Sequence, residues 1–199
     1  MRVSRQDAAG ALEGFERVPA HRPELKSSAV AITLVDRPEG TAFLLTRRAA
    51  ALRGHPGQWA LPGGRADPDE TPGQTARREL AEELGLELGA DAELGLLDDY
   101  PTRSGYVITP VVLWAGADAT AVPNPAEVAE LHRVSLDLLD VEPRFLTIPE
   151  SEFPVIQLPL YGRFVHAPTG AVLYQFRELV LRGRVTRVAH LEQPVFAWR

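Results

Sequence analysis

Apolar positions recur along the chain with two different periods. An almost unbroken apolar run, Ala29-Val-Ala-Ile-Thr-Leu-Val35, has strand length. The turn chemistry of Asp36-Arg-Pro-Glu-Gly40 leads into a second run, Thr41-Ala-Phe-Leu-Leu-Thr46, so a hairpin is expected. Arg47 to Gly64 is rich in Gly, Arg and Pro and reads as loop, with one short strand near Trp59-Ala-Leu61. The best-marked helix follows: Thr71 can cap it, Pro72 sits where a missing N–H costs nothing, and Gly85 can end it. Ala76, Leu80 and Leu84 would form its buried stripe. Leu94–Leu97 and Tyr106–Trp114 read as strands, and 124–141 as a polar loop with a short helix around Leu136-Asp-Leu-Leu139. Thr169 to Arg182 reads as a last helix with Val172, Leu173, Phe176, Leu179 and Val180 on one face. One domain over 27–182 accounts for this pattern. It is preceded by an N-terminal extension (1–26) and followed by an apolar tail (183–199), expected to pack on the domain or on a second subunit.

Composition narrows the chemistry. The 199 residues suffice for one core, and cysteine is absent, which excludes disulfides, thiolate catalysis and zinc-thiolate sites. A net charge of −6 argues against a general nucleic-acid binder. No apolar run is long enough for a membrane span and no secretory leader is evident, so a cytoplasmic protein is expected. Neither nucleic acid nor membrane is an expected partner; a small phosphorylated ligand is compatible with the charge, because a local arginine cluster or bound metal can invert the field within one cleft.

The candidate chemistry lies on the capped helix. Glu79, Glu82 and Glu83 stand at i, i+3 and i+4, which places three carboxylates on one face. Like charges so placed repel, and a hard cation such as Mg²⁺ or Mn²⁺ would remove the repulsion. Arg78 can hold one carboxylate, and Pro62-Gly63-Gly64 offers backbone that can approach a ligand closely. Outside the helix, Glu127 and Glu130 are candidates for a general base or a further ligand, against the alternative of a solvated pair. His21, His132, His166 and His190 lack ligand spacing and are expected to be structural or exposed.

The run Gly64, five residues, Glu70, seven residues, Arg78-Glu79-Leu80, one residue, Glu82-Glu83, one residue, Gly85-Leu86 resembles the signature of the Nudix hydrolases at every defined position. The resemblance implies an α/β fold, an α/β/α sandwich around a mixed sheet, and metal-dependent hydrolysis of a phosphoanhydride in a nucleoside diphosphate linked to another moiety. It implies Mg²⁺ or Mn²⁺ held by Glu82 and Glu83, assisted by Glu79 and the Gly63 carbonyl. Arg78 would orient Glu79, and Glu70 would support the cluster. Homodimers are common in the family, so a homodimer is part of the expectation.

Upstream, Leu44-Leu-Thr46, Arg48, Arg53, His55 and Gly57 fall in register with the motif of the coenzyme A diphosphatase branch, and Leu97-Asp-Asp99 and Thr109-Pro-Val111 resemble it further downstream. Arg48, Arg53 and His55 are thereby expected to contact a phosphate-rich substrate, CoA or a CoA ester. Departures occur at Ala49, where the branch has Ser, at Gln58-Trp59-Ala60-Leu61, and before the final helix, where its Trp-Gly is lacking. ADP-ribose, NADH or an oxidised nucleoside triphosphate is the alternative substrate. A Nudix-fold module that binds without hydrolysing is a third reading.

Overall fold

The N-terminal hairpin is built by two strands that pair only at their turn. A computed structural model of the chain describes residues 1–50, 57–117 and 119–198. Helix α1 (Arg5–Glu13) is closed by a capping box between Ser4 and Asp7, and its Ala8 and Leu12, with Val3 and Phe15, enter the main core. Strand β1 (Lys26–Arg37) then meets β2 (Gly40–Arg48) antiparallel, from Arg37↔Gly40 to Leu34↔Phe43. Beyond that register the two part. The fork is filled by β3 (Trp59–Ala60), which pairs with β2, and β4 (Gly63–Arg65), which pairs with β1.

Helix α2 (Pro72–Leu84) has the caps its sequence predicts. Thr71 and Gln74 form a reciprocal capping box, Pro72 opens the helix, and Gly85 closes it at φ 60°, a left-handed conformation that glycine adopts without a Cβ penalty. Strands β5 (Glu93–Leu96), β6 (Tyr100–Pro101), β7 (Tyr106–Gly116) and β8 (Val128–Ser135) complete the larger sheet, whose central order is β3-β2-β1-β7-β5. β7 runs parallel to β1 and the other pairings are antiparallel, so the sheet is mixed. The strand β8 replaces most of the polar loop expected over 124–141. Its burial alternates poorly, with only Val128 and Val134 buried, so its sequence carries no period-2 signal. The short helix α3 (Leu136–Leu139) follows as expected.

A second sheet joins β9 (Arg144–Ile148), β10 (Ser151–Leu160) and β11 (Arg163–His166), none of which the apolar pattern reveals. Helix α4 (Thr169–Phe176) runs without a break into a π-helical turn over Arg177–Leu181, so the helix expected over 169–182 is present with a widened last turn. The widening coincides with a charge network around a buried guanidinium: Arg177, with no exposed surface, lies against buried Glu178 and the more exposed Asp140 and Glu142.

Helices cover both faces of the large sheet. On one, Ala76, Leu80 and Leu84 of α2 pack on Ala29, Ala31, Leu44, Val111 and Leu113. On the other, α1, α4 and the tail pack on Ile32, Leu34, Phe43, Leu45 and Val112. The result is an α/β/α sandwich. Residues 183–198 lie against their own chain, with Val188 and Leu191 in the core and Tyr100 donating its hydroxyl to the Leu191 carbonyl at 2.6 Å. Among the described residues no helix is long and apolar enough to cross a membrane.

Candidate active site

The fork in the sheet delivers Pro62-Gly63-Gly64 onto the face of α2. A Cβ on Gly63 would run into the Ala29 backbone carbonyl, so that position needs glycine, and one on Gly64 would press on the Glu79 carboxylate and push it aside. The Gly63 N–H donates to Glu83, which is only 5% exposed. Glu79 is half-buried beside Gly64, whereas the Glu82 side chain is more than half exposed.

Arg78 organises the outer carboxylates. Its Nε and Nη2 donate to the two oxygens of Glu70 at 2.9 and 3.0 Å, Nη1 donates to Glu79 at 2.8 Å and Glu82 at 3.3 Å, and Nη2 also reaches the Arg65 carbonyl at 2.9 Å. Glu70 accepts further from Thr75 Oγ1 and the Asp67 N–H. Chiefly the Arg78 hydrogen bonds hold the Glu70 carboxyl down at about 2. Glu70 is thus fully engaged in supporting the helix start, away from any ligand.

The inner carboxylates behave in the opposite way. Burial pushes Glu83 up to about 7, with the charges of Glu79 and Glu127 adding to the rise and Arg48 opposing it. Burial also raises Glu79, against its Arg78 hydrogen bond, and Glu82 and Glu127 repel its charge. Glu127 reaches this group because the loop before β8 clamps the end of α2: Val122 N donates to Leu84 O at 2.7 Å and Asn124 N to Glu83 O at 2.8 Å. Asn124 Nδ2 then holds Glu127 Oε1 at 3.3 Å.

The candidates therefore separate. Glu79, Glu82, Glu83, Glu127, Gly63 and Arg48 come together, with Arg78 and Glu70 behind them. Glu130 does not join them: it pairs with Arg47 at 2.8 Å and His132 at 2.9 Å on the exposed side of β8. Arg53 and His55 lie outside the described residues. Asp98 and Asp99, part of the upstream-branch resemblance, are structural. Asp98 is held by Arg187 at 2.8 Å and Gln175 at 2.7 Å, and Asp99 by Arg17 at 2.5 Å and Thr109 at 2.6 Å, which ties both chain ends to the sheet.

A cavity of about 540 Å³ opens beside Gly63 and Gly64. Arg48 and Arg65 lie on its polar side, and Trp59, Tyr106 and Val172 on its apolar side. Tyr106 and Val172 converge from β7 and α4; nothing in their local sequence marks them as neighbours.

The sequence of residues 25–156 matches the NUDIX domain. The chain belongs to the Nudix family. A Yersinia pestis (strain Pestoides F) protein named uncharacterized Nudix hydrolase NudL is 43% identical over 112 residues. That stretch is 56% of this chain and 56% of the relative, so this Nudix chain matches about half the length of such curated relatives. In solved structures, the M. smegmatis Nudix hydrolase RenU superposes with a TM-score of 0.55 at 23% identity, covering 88% of this chain and 94% of its own. A MutT/nudix family protein from Enterococcus faecalis gives 0.57 at 14% identity, covering 92% and 76%. These likenesses show the Nudix fold. Within it, the Gly63-Gly64 fork is the element that lines the cavity and also lies against the glutamate helix.

Among the described residues no three carboxylate or imidazole groups stand ready-made around a metal position. The donor set nevertheless suits a hard cation, since every candidate ligand is an oxygen and the inner carboxylates repel one another. Glu82, the most exposed of them, contacts Arg78 at 3.3 Å.

Proposed function

We propose that the chain is a Nudix pyrophosphohydrolase that cuts the phosphoanhydride of a nucleoside diphosphate derivative, CoA or a CoA ester, into 3′,5′-ADP and a 4′-phosphopantetheine. The observation that carries the reading is the mutually repelling group of Glu79, Glu127 and the buried Glu83, set beside Gly63 and Gly64, which line a cavity that Arg48 and Arg65 also line. Glu82 and Glu83 would hold Mg²⁺ or Mn²⁺, with Glu79 and the Gly63 carbonyl assisting. Such ions supply charge neutralisation at phosphorus and a more acidic water.

The chain's own residues do the rest. Arg78 keeps Glu79 aimed at the site and is itself fixed by Glu70. Glu127, held by Asn124, accepts the proton of the attacking water at its carboxylate. Arg48, on the cavity wall near Glu83, neutralises a diphosphate oxygen, and Arg53 and His55 add phosphate contacts. The apolar wall of Trp59, Tyr106 and Val172 takes the uncharged parts of the substrate and excludes water. The enzyme is expected to be cytoplasmic and homodimeric, the latter measurable by sedimentation.

A panel of CoA, acetyl-CoA, ADP-ribose, NADH and an oxidised nucleoside triphosphate, with Mg²⁺ and Mn²⁺ and products read by mass, tests the reading. CoA compounds are expected to give the highest kcat/KM. Preference for ADP-ribose or NADH would refute the CoA assignment, and hydrolysis of nothing would refute the enzyme.

A further inference from the structure

A smaller chamber of about 270 Å³ adjoins the main cavity, and the two share Gln58, Trp59, Pro168, Thr169 and Ala197 as a common wall. Its chemistry differs from that of the main cavity. Arg47, Arg163 and His166 line it together with the aromatic faces of Trp59, Phe164 and Phe196.

Arg163 is held there by a tight turn. Leu160 and Arg163 are paired residues of the β10–β11 hairpin, so the loop between them is only Tyr161-Gly162, with φ of 50° and 70°. Two positive φ values in a two-residue loop match the twist of the flanking strands and fix the start of β11. A tyrosine at positive φ is uncommon, and here its ring stacks on Trp59 at 6.2 Å, which anchors the hairpin to the cavity wall. Among the described residues the Arg163 guanidinium has no ion pair or hydrogen bond. Arg47, which also lines the chamber, lies over the Trp59 ring at 5.9 Å and shares Glu130 with His132. In a chain of net charge −6, two arginines on the wall of one aromatic-lined chamber, Arg163 unpaired among the described residues, concentrate positive charge there.

We propose that this chamber binds a phosphate monoester carried on the nucleoside end of the substrate, remote from the bond that is cut. Arg163 is the main contact, and Arg47 and the aromatic walls flank it. The proposal rests on the CoA reading for its natural ligand, the 3′-phosphate. Arg48 and Arg65 serve the diphosphate in the main cavity, and the shared wall lets one ligand span both spaces. Arg163 is then a specificity-determining residue that takes no part in the bond cleavage.

The test has a binding and a kinetic arm on the full chain. Calorimetric titration in Mg²⁺ buffer compares 3′,5′-ADP with 5′-AMP for wild type, Arg163→Gln and Arg163→Lys. Wild type is expected to favour the bisphosphate by at least about tenfold, since a charge-assisted hydrogen bond to phosphate is worth that much. Arg163→Gln should bring the two ligands within about twofold, and Arg163→Lys should restore part of the difference. In kinetics, Arg163→Gln should raise KM for CoA about tenfold with little change in kcat, and leave dephospho-CoA unaffected. A bisphosphate preference that survives Arg163→Gln, or its absence from wild type, overturns the chamber assignment. If CoA is not hydrolysed but the preference is present and Arg163-dependent, the chamber stands and the CoA reading falls. If CoA is hydrolysed with a 3′-phosphate preference that Arg163→Gln leaves intact, the reverse holds.

Discussion

Replacing Glu83 by Gln should stabilise the metal-free protein at neutral and higher pH while removing its response to metal. In the folded chain burial pushes the Glu83 carboxyl up from 4.5 to about 7. A group with a raised folded-state pKa gives its full stability below its unfolded value and loses it as pH rises through the folded value. Between pH 4.5 and 7 the unfolded chain therefore releases a proton that the folded chain retains, and the wild type should lose up to about 3 kcal/mol from this one group. Gln keeps an oxygen to accept from the Gly63 N–H and carries no charge to bury. At pH 8 in EDTA the Gln variant should thus exceed wild type by up to about 3 kcal/mol, roughly 6–12 °C in Tm for a chain of this size. At pH 4 the two should coincide. Adding Mg²⁺ at pH 8 should raise the wild type, because the cation binds only the folded form, and should leave the variant nearly unchanged. The assay is urea or thermal denaturation of both proteins from pH 4 to 8, with and without Mg²⁺. Parallel pH profiles, or a variant less stable than wild type at pH 8 in EDTA, would refute the reasoning.

Other perturbations follow from the same contacts. Gly64→Ala should displace the Glu79 carboxylate it now faces and cut kcat by at least about tenfold, with circular dichroism unchanged; normal turnover would show that the close approach is dispensable. Arg78→Ala should raise the Glu70 carboxyl from about 2 toward its ordinary range, the Asp67 N–H and Thr75 hydroxyl retaining part of the shift. Most of the stability that Glu70 contributes above 4.5 and loses as pH falls through about 2 would then be lost, so the variant should acid-unfold at higher pH and bind Mn²⁺ more weakly. Glu127→Gln should lower kcat by roughly 10²–10⁴-fold while leaving metal titration nearly intact, as removal of a general base does. A large loss of metal affinity would instead make Glu127 a ligand.

The parts of the fold legible in the sequence are those whose determinants are local. Thr71, Pro72 and Gly85 fix both ends of α2, and Ala76, Leu80 and Leu84 fix its buried face, so the helix and its three glutamates follow from one short stretch. The β1–β2 hairpin is marked by its own turn. Strand β8 is not, because its side chains lie half-exposed beside β2 and show no alternation. Nor are β9–β11, whose sheet leaves Phe145, Leu146 and Phe153 exposed and so breaks the link between apolar and buried. The π-helical turn over Arg177–Leu181 carries the buried Arg177, whose partners Asp140 and Glu142 are distant in sequence.

Within the site, the same division applies. The grouping of Glu79, Glu82 and Glu83 is a matter of helical spacing. The difference between Glu127 and Glu130 is set by strand register, since Arg47 and Glu130 are cross-strand partners and Glu127 lies just before the strand begins. The meeting of Trp59 with Tyr161 and His132 is a tertiary event without a local signature.

Metal-dependent cleavage at the glutamate helix is tested most directly by one comparison: product masses from CoA incubated with wild type or Glu82→Gln, in Mg²⁺ or in EDTA. The account predicts 3′,5′-ADP and 4′-phosphopantetheine from wild type in Mg²⁺, and loss of both products by orders of magnitude in EDTA or with Glu82→Gln, whose fold should be unchanged. Full turnover in EDTA, or near-wild-type turnover by Glu82→Gln, would contradict it.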